Sequence, residues 1–159
     1  MTKLVLDGNK ELALTAATFK TPLPMLKTLS LDRCGLTDLD RNVFEGLPGL
    51  EELSVIGNQF SAIPMAIRAL PGLKALEMSE TNLVELSAYE FKQMKALEKV
   101  YMRKMPFLAR VSDCAFCRLE KLELVDLSKS KKVRLWEKGA FINLYKSFKN
   151  PTLTAHHTN

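Results

Sequence analysis

The sequence predicts an α/β solenoid, with short parallel strands on a concave face and irregular, 3-10 or short helical segments on the convex face. Two markers carry that prediction. The pattern Leu-x-x-Leu-x-Leu-x-x-Asn-x-Leu recurs along the 159 residues in blocks starting at Met1, Leu26, Leu50, Leu73, Leu97 and Leu122. Independently, Phe19, Phe44, Ile67, Phe91, Phe116 and Phe141 recur at intervals of 25, 23, 24, 25 and 25 residues. A fixed period of this size is the mark of stacked repeats, each of which buries its apolar face only against its neighbours.

Each block explains its own folding. Side chains alternate across a strand, so the fourth and sixth residues (Leu29 and Leu31 in the second block) point into the core. The third, fifth, seventh and eighth residues point out onto the concave face. The chain then turns and crosses the convex side, where Phe44 and Leu47 plug back into the core. The ninth position favours Asn, whose amide bonds exposed backbone groups of the turn. Here it reads Asn9, Cys34, Asn58, Thr81, Met105 and Ser130. Met cannot match the amide's donors and acceptors, and Pro106 follows it, so irregularity is expected around Met105. In blocks one, five and six the next apolar residue falls one place late, at Leu12, Leu108 and Val133.

These blocks set the expected organisation: a repeat domain of six repeats over residues 1–146 and a polar, disordered tail over 147–159. Met1 stands where a repeat leucine belongs, and Leu144-Tyr-Lys-Ser-Phe148 does not resume the pattern. Solenoid ends need polar caps, so the stack reads as uncapped, either a piece of a longer array or one whose ends are covered by partners or self-association.

Composition excludes little and chemistry motifs are absent. No window approaches the roughly 18 apolar residues of a membrane span, and the first residues lack the apolar centre of a signal peptide. Charge is uneven. Residues 1–96 hold 10 Lys/Arg against 12 Asp/Glu, and residues 97–159 hold 13 against 6. No aromatic-basic module accompanies the basic half, so nucleic acid is not the expected partner. Cys114-Ala-Phe-Cys117 has zinc half-site spacing without a second pair, and packed thiols are favoured over a disulfide. His156 and His157 are solvated tail residues, and Trp136 is read as core. No nucleophile-base pair or phosphate loop occurs, so no catalytic residue, cofactor or metal is expected, and the chain is not read as an enzyme.

The blocks, with Leu39, Phe44 and Leu47 on the convex half, resemble the leucine-rich repeat superfamily. The 24-residue "typical" class is the nearest in style. The resemblance implies a right-handed superhelix and a protein-binding role, as a fragment of an extracellular or cell-surface receptor or adhesion protein. Ala62-Ile63-Pro64 and Cys34-Gly-Leu-Thr-Asp38 support an alternative, an intracellular, cytoplasmic scaffold or ubiquitin-ligase substrate adaptor. The expected partner is a protein ligand on the concave face. The candidate contact residues there are Glu52, Glu77 and Glu80, set beside Lys99, Tyr101, Arg103 and Lys104. The same outward rows carry Arg33, Asp126 and Lys129. Tyr and Arg are enriched at interface hot spots. The alternative reading is that these charges only pair across neighbouring strands.

Overall fold

The computed structural model describes residues 1–112 and 114–133, with the backbone alone of 135–136 and 152–153. Its chain order is β1 (Lys3–Val5), β2 (Thr28–Ser30), β3 (Glu52–Ser54), α1 (Met65–Arg68), β4 (Ala75–Glu77), β5 (Glu85–Leu86), β6 (Lys99–Tyr101), β7 (Arg110–Val111), β8 (Leu124–Asp126), β9 (Leu135–Trp136) and β10 (Thr152–Leu153). A seven-stranded sheet runs β1-β2-β3-β4-β6-β8-β10 and is parallel throughout. Six of its strands occupy the third to fifth residues of the six blocks. The chain is a parallel-strand solenoid, as the repeat predicts.

Register follows from the alternation. Leu4, Leu29, Leu53, Leu76, Val100 and Val125 stand side by side as Cα partners, and all but Leu4 are buried. A one-residue slip would turn this row to solvent. The convex side supplies Phe19, Phe44, Ile67, Phe91 and Phe116, all buried, with the rings of Phe91 and Phe116 stacked at 5.3 Å. A fully buried Leu or Phe contributes roughly 1.5–3 kcal/mol, so these two rows are the main cohesive force between repeats. Leu4, Leu6, Leu12, Leu14 and Leu23 in the first repeat are only partly buried, because β1 is an edge strand and no described residue stacks on its outer side.

The convex side is more extended than the sequence suggests. Among the described residues the single helix is α1, entered from Pro64 at φ −55°. Its Ile67 fills the slot that Phe19, Phe44, Phe91 and Phe116 take in repeats one, two, four and five. A second parallel sheet, β5-β7-β9, runs beside the first. Leu83 with Leu86, and Leu108 with Val111, anchor both ends of a short span in the core while the two residues between them face out. That pins the span in an extended form, and spans of successive repeats then pair.

The ninth positions show how turns are stitched. Buried Asn58 makes four hydrogen bonds. Its Nδ2 donates to the carbonyls of Val55 (2.9 Å) and Leu31 (2.8 Å), and its Oδ1 accepts from the amides of Cys34 (3.1 Å) and Leu36 (3.0 Å). Cys34 donates its Sγ–H to the Leu6 carbonyl at 3.1 Å. Burial pushes this thiol's pKa up, which keeps the donating proton in place. Ser130 Oγ accepts from the Met105 amide (3.1 Å) and donates to the Met102 carbonyl (3.2 Å). The expected irregularity near Met105 is thus confined. Met105 itself is buried, and the extra residue is taken up where Phe107 turns outward.

Cys114 and Cys117 are joined as a disulfide with Cα atoms 4.5 Å apart. This corrects the expectation of two packed thiols. The tight turn, with Cys114 at φ 58°, brings the two side chains together within it. Thr152–Leu153 lies as a strand against β8. Other expectations for the C-terminal segment fall outside the described residues: Phe141, the Trp136 side chain, Leu144 to Phe148, His156 and His157.

Candidate partner-binding face

The outward residues of the large sheet form rows. One row reads Lys3, Thr28, Glu52, Ala75, Lys99, Leu124, and the next reads Val5, Ser30, Ser54, Glu77, Tyr101, Asp126. Two more rows follow at the ends of the strands, from the seventh and eighth positions. Alternation puts all seven candidate residues on this face or its margin.

Their geometry separates them into two groups. Glu77 and Arg103 meet at 2.6 Å, and the Arg103 guanidinium also lies 5.3 Å from the centre of the Tyr101 ring and 3.9 Å from Asp126. The Glu77 carboxylate additionally accepts from the Ser79 amide (3.0 Å) and from the Ser79 hydroxyl. Glu77 therefore holds Arg103 over Tyr101, and its hydrogen bond pushes the guanidinium pKa further above its ordinary value. Glu80 takes Lys104 at 3.3 Å and Arg33 at 3.1 Å, and the bond from Lys104 leads in lowering its pKa. Glu52 and Lys99 stand apart. Glu52 accepts from the Thr28 hydroxyl at 3.3 Å, with Ala75 separating it from Lys99 in the row. Both are exposed, and Lys99 has no carboxylate partner among the described residues.

The eighth-position row has a conformation in common. Gly8, Arg33, Gly57, Glu80, Lys104 and Lys129 all have φ between 53° and 74°. The cause is a repeated bond. The amides of Gly8, Arg33, Gly57, Glu80 and Lys104 each donate to the seventh-position carbonyl of the following repeat, at 2.7–3.0 Å. Glycine adopts this left-handed form freely, whereas other residues pay about 1–2 kcal/mol for it. Four of the six places nonetheless hold a charged side chain. They border a hollow of about 380 Å³ that is also lined by Ile56, Ser79, Arg103, Asp126 and Ser128. A second hollow of similar size includes Glu52, Glu77, Lys99 and Tyr101 in its lining.

Sequence reasoning missed two features. Asp7 and Asp32 lie on outward positions, yet they act as staples between repeats. Asp7 accepts from the Ser30 hydroxyl (2.6 Å) and Asp32 amide (2.9 Å), and Asp32 accepts from the Ser54 hydroxyl (2.6 Å) and Ile56 amide (2.8 Å). The signal was an Asp at position seven followed by a Ser at position five of the next block. Glu51 is likewise bracketed by Lys27 (2.7 Å) and Lys74 (2.8 Å) from adjacent repeats. Among the described residues no cluster of His, Cys, Asp and Glu could hold a metal ion, and no helix is long and apolar enough to cross a membrane.

Comparisons with known proteins agree with the solenoid. The family profile described as leucine rich repeat matches residues 1–60. The chain is similar to human vasorin, with 32% identity over 111 residues, which is 69% of this chain. The chain spans 16% of the length of that relative.

Proposed function

Because the chain belongs to the leucine-rich repeat superfamily, we propose that it is a protein-binding module whose partner sits on the concave face, at the seam of Glu52, Glu77, Glu80, Lys99, Tyr101, Arg103 and Lys104. The observation that carries the reading is the Tyr101–Arg103 pair, fixed from below by Glu77. It offers a half-exposed aromatic and a guanidinium already held in one geometry, so less ordering entropy is lost when a partner binds. Glu52 and Lys99 are exposed charges of opposite sign on either side of Ala75, suited to orient a partner of complementary charge. Binding by a rigid face, rather than catalysis, is the role this arrangement fits.

The setting we favour is extracellular or at the cell surface, as part of a receptor or adhesion protein. The style of the repeats supports it, and so does the Cys114–Cys117 disulfide, since disulfides persist in oxidising compartments. The test is affinity capture of a partner from extracellular fluid or cell membranes, followed by titration with the Tyr101→Ala and Arg103→Glu variants. A loss of about tenfold or more in either is expected for a hot-spot residue. Unchanged binding in both would remove the seam from the interface.

A further inference from the structure

Building on that concave-face reading, we propose that the hollow bordered by the left-handed row is a carboxylate-binding site for an acidic peptide segment, with Arg33, Arg103, Lys104 and Lys129 as its cations. The charge arrangement is unbalanced. Glu80 alone answers both Arg33 and Lys104. Lys129 is exposed and has no carboxylate partner among the described residues. Arg103 is already met by Glu77 at 2.6 Å and Asp126 at 3.9 Å, so the surplus at the hollow comes from Arg33 and Lys104 sharing Glu80 and from Lys129. An incoming carboxylate therefore meets an excess of positive charge and a cation, Lys129, that needs no internal bond broken.

The shape is built as well. Gly57 has no side chain, and a Cβ there would lie 2.9 Å from the Cγ of Arg33. This gap lets Arg33 cross the third repeat and reach Glu80, closing one side of the hollow over Ile56. Charged residues hold left-handed positions at Arg33, Glu80, Lys104 and Lys129, although Gly8 and Gly57 show that glycine serves the fold at the same place. Backbone strain retained in this way concentrates at binding sites. A peptide suits the hollow better than a sulfated polysaccharide. A long polyanion laid along the face would meet Glu80, Asp126, Glu77 and Glu52 in turn, whereas a short acidic peptide can confine its carboxylates to the hollow.

The experiment is fluorescence anisotropy of a labelled peptide, a short oligoglutamate stretch flanked by Gly and Ser, with the full chain. Oligolysine and a heparin oligosaccharide serve as comparison probes, and each variant's melting temperature is recorded. Oligoglutamate is expected to bind, more weakly as salt rises, and oligolysine is not. Lys129→Glu, at an exposed unpaired side chain, is expected to melt like the parent and weaken binding by about tenfold. Glu80→Gln removes the internal competitor and is expected to tighten it. Absence of oligoglutamate binding, insensitivity to Lys129→Glu, weakening by Glu80→Gln, or tighter retention of the heparin oligosaccharide would each overturn the proposal. If Tyr101→Ala loses the captured partner while oligoglutamate fails to bind, the ligand class falls and the concave-face reading stands. If oligoglutamate binds but neither seam variant affects the partner, that reading falls.

Discussion

Arg33 and Glu80 are 47 residues apart, on the second and fourth repeats, yet their side chains meet at 3.1 Å across Gly57. The bridge is possible because the intervening repeat presents no side chain at that position. Gly57 also sits at φ +67°. Gly57→Ala is expected to cost about 1–2 kcal/mol, mostly from the left-handed backbone. Arg33→Ala, at a largely exposed pair, is expected to cost under about 1 kcal/mol. Urea denaturation of both variants checks the ordering, and an equal or larger loss from Arg33→Ala would contradict it.

A different glycine is needed for close approach. A Cβ on Gly46 would lie 1.9 Å from the backbone oxygen of Phe19, and one on Gly8 would meet nothing within 4 Å. Backbone cannot step aside as a side-chain tip can. Gly46→Ala is therefore expected to destabilise by on the order of 3 kcal/mol, and Gly8→Ala by only about 1 kcal/mol from its positive φ. Thermal denaturation of the two variants side by side is the check.

Asn58 and Asn9 occupy the same place in their repeats with different surroundings. Asn58 makes four buried hydrogen bonds, while Asn9 donates one, to the Leu6 carbonyl at 2.8 Å. Asn58→Ala strands buried backbone groups and is expected to cost about 3 kcal/mol or more. Asn9→Ala, with its groups open to water, is expected to cost under about 1 kcal/mol. Similar losses at both sites would show that the ladder between repeats is not what makes Asn58 important.

Glu51 gives a pH dependence of defined sign. Hydrogen bonds from Lys27 and then Lys74 lower its pKa from 4.5 to about 2. A depressed carboxylate stabilises the fold above its unfolded pKa, and the contribution is lost as pH falls toward the folded value. The midpoint of unfolding should therefore drop between pH 4.5 and about 2, and Glu51→Gln should flatten that part of the curve. Melting temperatures across this window, parent against variant, provide the measurement, and identical slopes would contradict the assignment.

The strands were legible because a single physical constraint, burial of the Leu29–Leu53–Leu76–Val100 row, is written into the sequence at a fixed period. The Phe row was legible for the same reason. The second sheet was harder to see, because Glu85 and Arg110 are ordinary exposed residues, brought into register by the burial of Leu86 and Val111 beside them. The face was legible as a set of outward positions, but its pairings were not. Which cation reaches Glu80 depends on Gly57 and on the left-handed turn, and neither is visible in a list of charges. The disulfide escaped because the spacing of Cys114 and Cys117 suits several chemistries, and the turn that joins them is set by the fold around it.

A protein partner on the concave seam is tested most directly by photo-crosslinking to a captured partner from a photoreactive amino acid placed singly at Lys99, on the outward face of β6, and at Lys92, exposed on the convex side. Crosslinks from position 99 and none from position 92 are predicted. Crosslinks confined to position 92 would contradict the account.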